Sequence, residues 1–208
     1  MNLQITITDK QVLQAWWHWL DDNRGHRAKL RRATSPDDIM MTDAFFRFLK
    51  FSVKIEEGSL RLGNAWRDSN NLHAAATLCG LLSKVKEHAT EQITIKALDD
   101  DNEDYQKTKK RLTFPAQLAM PNNGGSSPIM SELRFSRLQK SESVDSFYLN
   151  MSRAISLLNG TVNIESLITD ILDWYREFEH GADKEPRKRL AVRWATEYFT
   201  TLNYNKLA

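Results

Sequence analysis

Apolar residues recur three and four positions apart along most of this chain, the spacing that gives a helix one buried face. Residues 12–22 put Leu13, Trp16, Trp17 and Leu20 on one side. After a polar break at residues 21–25 comes the motif Ser35-Pro36-Asp37-Asp38, which predicts a helix start. Ser35 would be the cap, Pro36 would lie in the first turn, and the two acids would sit near the positive end of the helix dipole. The apolar positions that follow are Ile39, Phe45, Phe46, Phe48 and Leu49. A long helix is expected from about Arg67 to Glu87, with Ala74, Leu78, Leu81, Leu82 and Val85 as its stripe.

Beyond residue 128 the pattern is again helical. Val144, Phe147, Tyr148, Met151, Ile155 and Leu158 mark one helix, and Asn159-Gly160 supplies a left-handed stop. Asn163 can cap the next, which carries Leu167, Ile168, Ile171, Leu172, Tyr175 and Phe178. Pro186 should open the last, with Leu190, Trp194, Ala195, Tyr198 and Leu202 on its core face. Strand-like alternation is confined to residues 3–7 and 93–95.

The helical pattern fails between residues 90 and 128. This stretch holds an acidic run from Asp99 to Asp104, a basic run at residues 107–111, and a turn-rich close, Pro121-Asn122-Asn123-Gly124-Gly125-Ser126-Ser127-Pro128. The expected fold is therefore all-α. Two small helical-bundle lobes, residues 1–89 and 129–208, would be joined by an irregular charged linker or insertion at 90–128.

Composition narrows the function classes. The 208 residues, 41% of them hydrophobic and 27% charged, suit a soluble globular protein. No apolar run approaches the roughly 20 residues of a membrane span, and the opening MNLQITITDK lacks the features of a signal peptide. A single cysteine, Cys79, excludes an internal disulfide framework, and the expected location is the cytoplasm. The five histidines never lie three or four apart, so no helical metal pair forms. The acidic run has Asp104 and Lys110 where a helix-loop-helix calcium loop needs glycine and glutamate. No phosphate-cradling glycine loop or nucleophile elbow occurs. The expectation is a protein that is not an enzyme, with no cofactor, no metal and no catalytic residue.

The net charge of +2 is too mild to announce nucleic acid, so distribution matters more. Arg27, Lys29, Arg31 and Arg32 lie within six residues, with Arg27 and Arg31 four apart. Arg134 and Arg137 share a helical face, with Arg153 one helix later. Arg187, Lys188, Arg189 and Arg193 form a third array. Such guanidinium arrays suit phosphate backbones, and they equally suit a solvated face. Most of the six tryptophans fall in apolar stripes; Trp19 departs from the Leu13, Trp16, Leu20 face and, with Arg189 and Arg193, is an interface candidate.

Several segments resemble a known family. These are Ala15 to Leu20, Arg27-Ala28-Lys29-Leu30-Arg31-Arg32-Ala33 and Ala44-Phe45-Phe46-Arg47, then Ser131-Glu132-Leu133-Arg134-Phe135-Ser136-Arg137-Leu138. Phe147, Arg153, the Val162-Asn163 helix start, Leu172, Trp174, Arg193-Trp194-Ala195 and Tyr198 follow in order. Together they resemble the small subunit of Cascade, the type I-E CRISPR surveillance complex (the Cse2/CasB family), over about three quarters of the chain. The resemblance implies a non-catalytic helical subunit in antiviral defence. Its partners would be other Cascade subunits, a second copy of itself, crRNA through the complex, and displaced or target-strand DNA in the R-loop. It assigns DNA contact to Arg31, Arg32, Arg47, Arg134, Arg137 and Arg153, and proximity adds Arg27 and Lys29. The chain departs from the family pattern at about residues 89–128, where members have a shorter connection. The alternative function is a helical scaffold subunit making only protein–protein contacts.

Overall fold

Thr6 begins the first helix, α1 (Ile7–Asp22), through a capping box. Its hydroxyl accepts from the Asp9 N–H at 3.0 Å, and the Asp9 carboxylate accepts from the Thr6 N–H at 3.0 Å. Residues 3–7 are consequently not a strand, despite their alternation. Asp9 is buried and also accepts from the Gly63 N–H at 3.1 Å and the Trp66 indole N–H at 2.9 Å. One carboxylate thus starts α1 and ties it to the short 3-10 turn Asn64–Arg67.

The computed structural model describes residues 3–56, 58–90, 92–99, 102–122 and 125–207, with the backbone alone for 93–99, 102–110 and 204–207. After α1 come α2 (Arg24–Arg32), α3 (Pro36–Met40) and α4 (Asp43–Leu49), then a hairpin of β1 (Ser52–Ile55) and β2 (Gly58–Arg61). Ser35 caps α3 as its sequence predicts, but Thr42 caps α4 anew, so the single expected helix is two. The long helix is α5 (Leu72–Lys84), shorter than predicted because 3-10 turns occupy residues 64–71.

The sequence predicts an irregular segment at 90–128, yet much of it is regular. After β3 (Glu87–His88), strands β4 (Gln92–Asp99) and β5 (Asn102–Arg111) pair as an antiparallel hairpin. The weak alternation at 93–95 is its only trace in the sequence. Helix α6 (Phe114–Ala119) is buried along its whole length and packs on α10 (Leu190–Leu207). Six residues are too few to show a helical period beside the charged runs.

Helices α7 (Glu132–Gln139), α8 (Val144–Leu157) and α9 (Ile164–His180) complete the second half. Asn159 (φ 54°) and Gly160 (φ 85°) make the left-handed stop after α8, and Asn163 caps α9. Between them β6 (Thr161–Val162) pairs parallel with β3. Pro186 opens a 3-10 turn, and α10 begins four residues later. The described chain is predominantly helical.

Buried side chains from both halves form one continuous cluster. Helix α5 is its centre: α2, α3, α8 and α9 all pack on it, and residues 74–83 are all buried. Gly80 makes this approach possible. A Cβ there would meet the Tyr148 hydroxyl at 2.7 Å and Ile39 Cδ1 at 2.9 Å. Cys79 lies in the same wall, and burial pushes its thiol well above the usual range. Trp16, Trp17, Trp66, Trp174 and Trp194 are all buried, as their stripe positions predict. No helix among the described residues is long and apolar enough to cross a membrane.

Candidate functional site

The first basic run is divided by its fold. In α2, Leu30 points into the core, and Arg27, three residues earlier on that face, is drawn in with it. Arg27 is 9% exposed. Its Nε donates to Ser83 O at 3.0 Å, and its remaining nitrogens reach Val85 O and Asp21. Arg27 is therefore a structural pin between α2 and the end of α5, a correction to its expected place on an exposed basic face. Lys29 is paired with Asp43 at 3.0 Å. Arg31 donates from Nε to Ser83 O at 2.8 Å and stays exposed, as does Arg32.

Lys84, at the end of α5, belongs to no basic run, so sequence reasoning does not single it out. Its ammonium donates to Arg31 O at 3.0 Å and lies 5.8 Å from the centre of the Tyr148 ring on α8. Burial, then the nearby Arg31 charge, lowers its affinity for a proton. Arg31 is shifted the same way, by burial and then by Arg27. Lys84 thus stands between the end of α2 and the flank of α8, with the Arg31 guanidinium near it.

That helix leads to the second array. Arg134 and Arg137 from α7 and Arg153 from α8 are all exposed and line one cleft of about 510 Å³. Its other lining residues are Met130, Leu138, Asn150, Ser152, Ser156 and Leu157, with no carboxylate among them. None of the three arginines has an ion-pair partner among the described residues. Sequence reading finds the arginines but not the lining. The available signal is helical spacing, since Asn150, Ser156 and Leu157 lie three or four positions from Arg153.

The remaining candidates lie outside this cleft, and Trp19, Arg189 and Arg193 are held by neighbours in the fold. Arg47 is exposed, with its guanidinium 5.1 Å from the centre of the Trp19 ring. Trp19 is half-buried and stacks on Trp16 at 4.8 Å. A three-residue spacing on α1 brings the two indoles together, so Trp19 sits at the core's edge rather than apart from it. Arg193 bonds Asp170 at 2.9 Å and Asp173 at 2.8 Å, and Arg189 Nε donates to Asp183 O at 2.8 Å. Both interface arginines turn inward to α9 and the loop that follows it. Burial pushes Asp170 up to about 7, against the opposing pull of Arg193. Among the described residues no cluster of His, Cys, Asp and Glu could hold a metal.

The family model for CRISPR-associated protein Cse2 matches residues 26–199, which includes α7, α8, most of α2 and the first half of α10. The chain belongs to the Cse2 family. Comparison with curated proteins and with solved structures gives no match. Membership supports a general role in Cascade and implies partnership with that complex. All three basic zones, and the buried Arg27, fall inside the matched span.

Proposed function

We propose that this Cse2-family subunit stabilises the R-loop of a crRNA-guided Cascade complex by holding single-stranded DNA through its phosphates. One observation carries this: Arg134, Arg137 and Arg153 converge from two helices on a cleft that offers them no carboxylate. Guanidiniums left unneutralised in this way form a forked donor set for phosphate oxygens. Arg31, Arg32 and Lys84 add a second positive patch at the ends of α2 and α5, where burial and then cation repulsion lower the pKa values of Arg31 and Lys84. An anion laid across them relieves that repulsion. Arg47 contributes from α4. Specificity would come from guide pairing, with protein supplying backbone contacts. The partners in this proposal are other Cascade subunits and a second copy of the chain.

The test replaces Arg134, Arg137 and Arg153 together by Ala. Binding of a single strand is measured over a salt series, and R-loop lifetime in the assembled complex is measured at two salt concentrations. Removing one phosphate contact lowers the slope of log affinity against log salt by about 0.7, so the triple variant should lower it by about 2. An unchanged slope and lifetime would leave the scaffold alternative, in which the same arginines meet protein.

A further inference from the structure

The cleft between α7 and α8 has a floor as well as a rim. Met130 and Leu138 line it but are only 3% and 1% exposed, so the apolar floor open to a ligand is half-buried Leu157 with the methylene stems of the three arginines. Asn150, Ser152 and Ser156 add an amide and two hydroxyls to the lining. Asn150 is held in place by its Nδ2 bond to Ser141 Oγ at 3.0 Å. The Ser156 hydroxyl donates to Ser152 O at 3.0 Å, which leaves its oxygen free to accept.

Phosphates alone require neither concavity nor floor, because a flat basic surface serves them. An unstacked nucleobase needs all the features seen here: apolar contact for its faces, polar groups for its edge, and cations for the phosphates on either side. We infer that the α7–α8 cleft seats one unstacked base of a single strand, with the flanking phosphates on Arg134, Arg137 and Arg153. This deepens the proposed function and rests on it. A paired, stacked base cannot enter, so the cleft selects single strands over duplex. Three polar groups are too few to read a base fully, so the seat tolerates sequence.

The experiment uses the full chain and three probes: a short oligothymidylate, the same strand with abasic residues, and the corresponding duplex. The base-bearing strand should bind several-fold more tightly than the abasic one, with the same salt slope because the phosphates are unchanged. Ser156→Phe, made at an exposed position one turn from Arg153, puts a ring into the cleft while keeping all three arginines in the chain. It should erase the difference between the two strands and keep the slope, with an unaltered melting curve confirming the fold.

Equal affinity for both strands would overturn the base seat and leave the backbone proposal standing. An unchanged slope in the Arg134, Arg137, Arg153 triple variant would instead remove the backbone proposal, and the seat with it. A strand difference that survives Ser156→Phe places the base elsewhere and overturns the seat. Preference for an acidic, leucine-bearing peptide over every strand also overturns it, in favour of a protein occupant.

Discussion

The α7–α8 cleft and the α9–α10 seam contain the same materials and do opposite things with them. Each carries arginines at helical spacing beside apolar residues that reach the core. In the seam, Arg193 is held by Asp170 and Asp173, and Arg176 pairs with Asp173 at 3.0 Å. In the cleft, Arg134, Arg137 and Arg153 face an amide, hydroxyls and leucines. The difference is not in the arginines. Helix α9 brings acids to its seam, whereas α8 brings serine and asparagine to its cleft. An arginine array becomes a brace or a ligand site according to what the facing helix supplies.

The sharpest way to break this contrast is Arg193→Ala. It strands a buried carboxylate and should cost about 3 kcal/mol of unfolding free energy at pH 8. The cost should shrink at pH 5, where Asp170, already pushed up to about 7, takes a proton and no longer needs its partner. Urea melts at the two pH values measure it.

Arg27→Ala should follow at about 2 kcal/mol, because it removes charged hydrogen bonds to Ser83 O and Val85 O and leaves these carbonyls only Arg31 Nε and Trp17 Nε1 as side-chain donors. Arg32→Ala, made at an exposed position further along the same helix, should leave the melt within about 0.5 kcal/mol. Equal effects would show that Arg27 is no pin.

Asp170 also sets a pH slope. Its folded pKa lies above that of an unfolded carboxylate, so the folded state holds the extra proton between roughly pH 4 and 7. Its contribution to stability is therefore lost as pH rises through that window. Asp170→Asn should flatten this part of the stability–pH curve, and a curve that keeps its fall would assign it to another group.

Per site, the Arg134, Arg137, Arg153 triple Ala variant should change stability as little as Arg32→Ala, by no more than about 0.5 kcal/mol, although its effect on DNA binding should be the largest of all. A large drop in stability would turn the cleft into a second brace and end the comparison.

Local chemistry makes much of the molecule legible from the order of its residues. Ser35, Asn159-Gly160 and Asn163 act through groups within a few residues, so caps and stops fall where their side chains require. Stripes such as Phe147, Met151 and Ile155 are set by helical periodicity, and they are buried. The six-residue α6 and the β4–β5 hairpin are not legible in this way, the first too short to show a period and the second masked by charge.

Sequence by itself determined the helical character, the starts of α3 and α9, the end of α8, the core tryptophans and the identity of the cleft's three arginines. Tertiary structure alone decided which cations are available. Arg27 and Arg31 are one turn apart on the same helix, yet Arg27 is sealed against the end of α5 while Arg31 remains exposed. The physical reason is the set of acceptors within reach: both guanidiniums bond Ser83 O, but only Arg27 also reaches Val85 O and Asp21. At Ser83, Val85 and Asp170 those acceptors arrive from residues more than twenty positions away, and no local pattern encodes them.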